Sequence, residues 1–383
     1  MKNLSDLFML RPGITYLNHG SFGACPKPVF EVYQKWQREL EEEPVEFLGR
    51  RFADLMYNAR QSLGQFLNAG VEDLLFVANA TTGLNIVAHS LPLKPGDEVL
   101  STNQEYGAMD RMWEHICKKS GARYIRHPIP LPVTSKEDVT EKIWSGATRR
   151  TKVLFFSHIT SVTAFMMPIR ELVTRARDSE ILVVVDGAHA PGQIDLDLES
   201  LGVDFYAGNC HKWMMAPKGV GFLYARPEKQ HLIDPLIVSW GDQSKGDSRF
   251  IQENEFQGTK DIAAYLSVTA AIDFIEKHHW PEVREQSHAL VLEARKQMAE
   301  KTGIAPLCPG NKSWLRQMVA EPLPTGLDGM LLKKRLFDEY SVEIPVNEMN
   351  GEQYIRISVQ GYNNESDVEL FLDAFEKLLS KMI

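Results

Sequence analysis

From about residue 59 onward the chain alternates helix-like segments with seven short apolar runs, "DLLFVA", "EVLST", "RYIRHPI", "KVLFFS", "ILVVVD", "DFYAG" and "GVGFLYA". Few folds accommodate that alternation. "KVLFFS" and "ILVVVD" are apolar almost throughout, the pattern of strands buried on both faces. Strands of this kind separated by helices predict an α/β fold with a mostly parallel sheet covered on both sides. In that architecture ligands collect beyond the carboxyl ends of the strands.

The flanking segments read differently. An arm over residues 1–25 ends in "YLNHGSFGACPKPV", and "VFEVYQKWQRELEEE" behind it has helical spacing, with Pro28 in the first turn. Past residue 262 the patterns lengthen into amphipathic helices, "AAYLSVTAAIDFIEKHHW", "SHALVLEARKQMAEKTG" and "ESDVELFLDAFEKLLSKM", separated by strand-like pieces. The expected organisation is an arm (1–25), a large domain (26–262) and a smaller α+β domain (263–383). The polar stretch "GDQSKGDSRFIQEN" reads as a loop.

Composition narrows the partner. With 51 acidic against 42 basic residues the 383-residue chain carries a formal net charge of -9, so it lacks the basic field that draws nucleic acid or anionic membrane. A small-molecule partner is favoured. No apolar run approaches a membrane span, and "MKNLSDLFMLRPG" lacks the order of a signal peptide, which places the chain in the cytoplasm. Cys25, Cys117, Cys210 and Cys308 are widely spaced and read as reduced thiols, with neither a disulfide framework nor a zinc ribbon.

Polar residues follow the strand-like runs. "DLLFVA" leads into Asn79, Thr81, Thr82 and Gly83 at a helix start, which suits a phosphate or simply caps the helix. "ILVVVD" ends in Asp186, a carboxylate that asks for a cationic partner, whether a local arginine or a ligand. His189 with Asp186 makes a D-x-x-H pair, weak evidence for a metal without further ligands. "KVLFFS" runs into Ser157, His158, Thr160 and Ser161, and "EVLSTNQEY" brings Tyr106 to the same edge, to cover a flat ring or only to pack. Lys212 follows "DFYAG". Pyridoxal phosphate meets all of these together: a phosphate for the helix start, a ring nitrogen for the carboxylate, a flat face for the aromatic and an aldehyde for the lysine.

The spaced set "YLNHGSFGACP", "PVEFLGRR", "NATTG", "EYGAM", "SHITSVTAFMMPI", "VVVDGAHAPG", "DFYAGNCHKW", "FQGTKD" and "YIRISVQGYNNESDV" resembles the class V aminotransferase group of fold-type I pyridoxal phosphate enzymes, most closely the branch of isopenicillin N epimerase and carbon-sulfur lyases. The resemblance implies a seven-stranded, mostly parallel sheet in the large domain. It also implies a Schiff base on Lys212, Asp186 on the pyridinium nitrogen, and Tyr106 and His189 against the ring. Thr81, Thr82 and His211 would then contact the phosphate, with Ser161 donating to the phenolic oxygen. Gly258 and Thr259 would reach the phosphate of a neighbouring subunit, so a homodimer is implied. Arg356 would clamp the substrate α-carboxylate, with Asn18 and His19 also on the substrate and no metal in the site.

Breaking Cα–H permits epimerisation, transamination or β-elimination, and the fold does not choose among them. Epimerisation needs a second acid–base group opposite Lys212, for which Tyr106, His19 and His158 are the candidates. Cysteine desulfurase chemistry is disfavoured, because "YSVEIPVNEMNGEQYIRIS" contains no cysteine; it would require Cys308 to line the pocket. A protein that binds the cofactor without catalysis, and a metal hydrolase on His158, Asp186 and His189, are the more distant readings.

Overall fold

The structure, a computed structural model, describes residues 4–241, 245 and 248–382. Its centre is a seven-stranded sheet: β1 (Leu74–Val77), β2 (Glu98–Thr102), β3 (Arg123–His127), β4 (Thr151–Ser157), β5 (Leu182–Gly187), β6 (Phe205–Asn209) and β7 (Gly221–Ala225), in the order β1-β7-β6-β5-β4-β2-β3. All pairs are parallel except those made by β7, which is antiparallel to both β1 and β6. Each of the seven apolar runs forms one of these strands. Nearly every residue of β4, β5 and β6 is buried, as helices on both faces require.

The strand register places the site. Ser157 of β4 pairs with Asp186 of β5, and Asp186 with Ala207 of β6, so the carboxyl ends of three adjacent strands finish side by side. The helix Ala80–Ser90 begins at the same edge, where Asn79 in extended geometry caps it by accepting the N–H of Thr82 at 2.9 Å.

A three-stranded antiparallel sheet follows later in the chain, with β8 (Met318–Pro322), β9 (Val346–Met349) and β10 (Glu352–Ser358) in the order β9-β10-β8. Helix Glu365–Met382 closes the chain and spans the whole of its predicted segment. The arm joins both parts. Thr15–Tyr16 pairs in parallel with Val342–Glu343, and Asn18 bridges to Ser358 at the end of β10. A few residues further on, the arm lies against the loop after β6.

Two expectations need correction. "AAYLSVTAAIDFIEKHHW" is not one helix but Ala263–Leu266, Val268–Lys277 and the start of Trp280–Thr302. The break before Trp280 falls at His279, whose φ of 51° is left-handed, ahead of Pro281. The polar stretch read as a loop contains the helix Arg249–Asn254; residues 242–244, 246 and 247 of it lie outside the described residues.

Candidate active site

A cavity of about 340 Å³ opens at the carboxyl ends of β4, β5 and β6. Of the predicted site residues, Thr81, Tyr106, Ser161, Asp186, His189, His211, Lys212 and Arg356 all line it. They come from the helix start, four strand ends and the small sheet. Residues separated by more than 270 positions in sequence thus share one chamber.

Lys212 is enclosed by protein apart from its cavity face. Burial, helped by the nearby Arg356, lowers its amine to about 7 although Asp186 acts in the opposite sense. Its Nζ lies 3.1 Å from His189 Nε2. Asp186 is buried, accepts the N–H of Ala188 at 2.9 Å, and has no cation within ion-pair distance among the described residues. Burial therefore raises its pKa, and the facing Lys212 lowers it only in part. Arg356 donates through Nη1 to the Ser161 carbonyl at 2.5 Å and through Nη2 to Ser21 Oγ at 3.0 Å, while its buried Nε has no partner among the described residues.

These features fit pyridoxal phosphate. An uncompensated buried carboxylate meets a protonated ring nitrogen, and an enclosed amine of lowered pKa meets an aldehyde. At the helix start, Ala80 N–H is taken by Asn209 Oδ1 at 2.8 Å and Thr82 N–H by Asn79. Thr81 lines the cavity beside Asn79 and Ala80 of the same turn. Tyr106 is 48% exposed and lines the cavity.

Several predicted residues sit elsewhere. Thr82 does not line the cavity; both its N–H and its hydroxyl go to Asn79 Oδ1, so its role is in the helix cap. His19 and Asn18 are buried behind the wall. Since the Lys212 carbonyl can only accept, His19 donates to it from Nε2 at 3.0 Å, and its Nδ1 takes the Tyr362 hydroxyl at 3.0 Å. Burial holds His19 neutral, at about 3, and its bond to the Lys212 carbonyl supports the lysine loop from outside the cavity lining. Asn18 bonds to Glu343 and Ser21. His158 is likewise buried, against the Tyr206 hydroxyl at 3.0 Å. Gly258 and Thr259 lie away from this cavity, with Thr259 exposed.

Residues the motifs did not single out also line it: Gly20, Ser21 and Phe22 of the arm, Asn209 and Asn347. Asn209 ends β6, a position the strand-end rule points to. Asn347 on β9 shares a sheet face with Arg356, because its register partner is Tyr354, two residues from Arg356; no sequence signal marks it. The four thiols are all buried and none lines this cavity. Cys308, pushed up to about 12 by burial, lies near Arg295 instead.

Comparison with known proteins follows the same lines. The aminotransferase class-V profile matches residues 16–371. The chain is 35% identical over 391 residues to an isopenicillin N epimerase of Amycolatopsis lactamdurans, covering 98% of each protein. It is 29% identical to a putative L-cysteine desulfhydrase of Oryza sativa subsp. japonica, over 96% of this chain and 84% of that one. Its fold is similar to that of the Escherichia coli cysteine desulfurase CsdA (TM-score 0.82, 21% identity, 99% and 98% covered) and of the cystine C-S lyase C-DES (TM-score 0.81, 22% identity, 95% and 98% covered).

Proposed function

The chain belongs to the aminotransferase class-V family and is a pyridoxal phosphate enzyme; from that premise we propose that it breaks the Cα–H bond of an amino acid or amino-acid derivative, with Lys212 as the proton carrier and epimerisation as the outcome. The observation that carries this reading is the enclosed Lys212 amine, lowered to about 7, in one cavity with Asp186 and Arg356. The cofactor, when bound, supplies an electron sink for the charge left at Cα.

The chain's own residues do the rest. Asp186 would hold positive charge on the ring nitrogen, and Thr81 with His211 would hold the phosphate. His211 donates Nδ1–H to the Val220 carbonyl at 3.1 Å, so Nε2 can grip an anion only once protonated, a change the phosphate charge itself favours. Arg356 takes the α-carboxylate through its unpartnered Nε edge. Lys212 removes the Cα proton. Of the three candidates for the opposing acid–base group, Tyr106 alone lines the cavity, and it is assigned that role.

β-Elimination is the second reading, favoured by the desulfhydrase relatives and by needing no group besides Lys212. Incubation with candidate amino acids in deuterated water separates the outcomes. Deuterium at Cα with loss of optical purity supports epimerisation, pyruvate with a released thiol supports lyase action, and dependence on a keto acid supports transamination. No Cα exchange across a broad panel contradicts the proposal.

We further propose a cytoplasmic homodimer in which Gly258 and Thr259 reach the partner's phosphate site. In support, Val238 and Trp240 are 85% and 72% exposed in the single chain, an apolar segment suited to a protein neighbour. No helix among the described residues is long and apolar enough to cross a membrane.

A further inference from the structure

Trp213 directly follows the cofactor lysine, and its indole is buried completely. Its Nε1 lies 3.4 Å from His189 Nδ1, while the other ring nitrogen of His189 faces Lys212 Nζ at 3.1 Å. An indole N–H can only donate. His189 Nδ1 is therefore the acceptor, and the single proton of the neutral ring sits on Nε2. An ammonium cannot accept a hydrogen bond, so Nε2–H can bond only to the lone pair of a neutral Lys212 amine.

A doubly protonated ring would set Nδ1–H against the indole N–H. It is also opposed by burial and by the basic groups that face His189, namely Lys212, Arg356, His211 and His19, of which Arg356 carries its charge throughout. Around Lys212 itself, Arg356 opposes the charged form and Asp186 favours it. The hydrogen bonds thus run one way, from indole to imidazole to amine.

We propose that Trp213 is a positioning residue that locks His189 in its Nε2–H form and thereby holds Lys212 as the free amine that condenses with the cofactor and accepts the Cα proton. Once Lys212 has taken that proton, its bond from His189 is lost. The ammonium then faces a donor and is driven to return the proton to the substrate side of the cavity. The proposal rests on Lys212 being the cofactor lysine, but its first consequence concerns the apoenzyme alone.

The test uses nitrogen-15 NMR of histidine-labelled apoenzyme, with the His189 signals assigned through His189→Gln, and the pH dependence of pyridoxal phosphate uptake. Wild type is expected to carry the His189 proton on Nε2. Trp213→Phe is expected to mix the tautomers and to shift the uptake profile upward by about one pH unit, making uptake roughly fivefold slower at pH 7. A proton on Nδ1 in wild type overturns the proposal, as does a Trp213→Phe enzyme with unchanged tautomer and profile. Should Trp213→Phe fail to fold, the wild-type tautomer decides. If Lys212 takes up no cofactor while His189 carries its proton on Nε2, the tautomer lock stands and the functional reading fails.

Discussion

Gly23 approaches His211 so closely that a Cβ built on the glycine would lie 2.0 Å from the His211 carbonyl oxygen and 3.0 Å from Lys212 Cα. Its φ of 70° is also in the region that favours glycine. With His19 donating to the Lys212 carbonyl and Lys218 Nζ donating to the Gly23 carbonyl at 3.0 Å, the arm forms a backstop for the lysine loop. Gly23→Ala is predicted to lose about 1 to 3 kcal/mol of stability and to weaken cofactor retention. Thermal denaturation and cofactor titration check this; a variant matching wild type in both would show that the arm does not brace the loop.

Arg60 and Glu255 form an ion pair at 2.7 Å with both side chains fully buried, and Arg60 also donates to the carbonyls of Val71 and Lys245. It fastens the segment that leads to Gly258 and Thr259. Arg60→Ala is predicted to destabilise the fold by about 3 to 5 kcal/mol, since it removes the ion-pair partner of a buried carboxylate. Arg60→Met with Glu255→Leu should recover most of the loss, measured by chemical denaturation. Equal destabilisation by the single and double variants would contradict the account.

Glu105 lies behind the cavity and accepts the hydroxyls of Thr102 and Ser157 at 2.6 Å each. Burial raises its pKa to about 8; those hydrogen bonds oppose the rise and the charge of Asp186 adds to it. The fold therefore favours the protonated acid. That stabilisation is complete below about pH 4.5 and is lost as pH rises toward about 8, by up to roughly 1.4 kcal/mol per unit. Glu105→Gln should gain on wild type across that window and keep a constant margin above it, in denaturation curves taken pH by pH. A margin independent of pH would mean Glu105 is ionised in the folded state.

Arg356→Ala is predicted to weaken binding of amino acids by about 2 to 5 kcal/mol, roughly 30-fold or more, while leaving the corresponding amino-acid amides little changed. Arg356→Lys should recover only part, because it lacks the planar fork. Loss of discrimination between acid and amide is the readout. Equal effects on both would remove the carboxylate from Arg356.

The central sheet was legible because parallel strands buried on both faces must be apolar along their whole length, as in "ILVVVD". The cavity was legible where side chains follow strand ends, as with Asp186, Ser161 and Lys212. What sequence reading misplaced depends on distant partners. Thr82 looked like a phosphate donor until Asn79 occupied it, and His19 looked like a substrate contact until Tyr362, more than 300 residues away, supplied its second bond. Asn347 left no mark, because its place beside Arg356 comes from an antiparallel register that no local pattern encodes.

The claim that everything else depends on is that Lys212 carries the cofactor, and borohydride reduction of the loaded enzyme followed by peptide mass mapping measures it. The account predicts the added mass on the peptide containing Lys212, with both the label and the visible absorbance lost in Lys212→Ala. A label on Lys218 or any other lysine, or a Lys212→Ala enzyme that keeps the covalent cofactor, would contradict it.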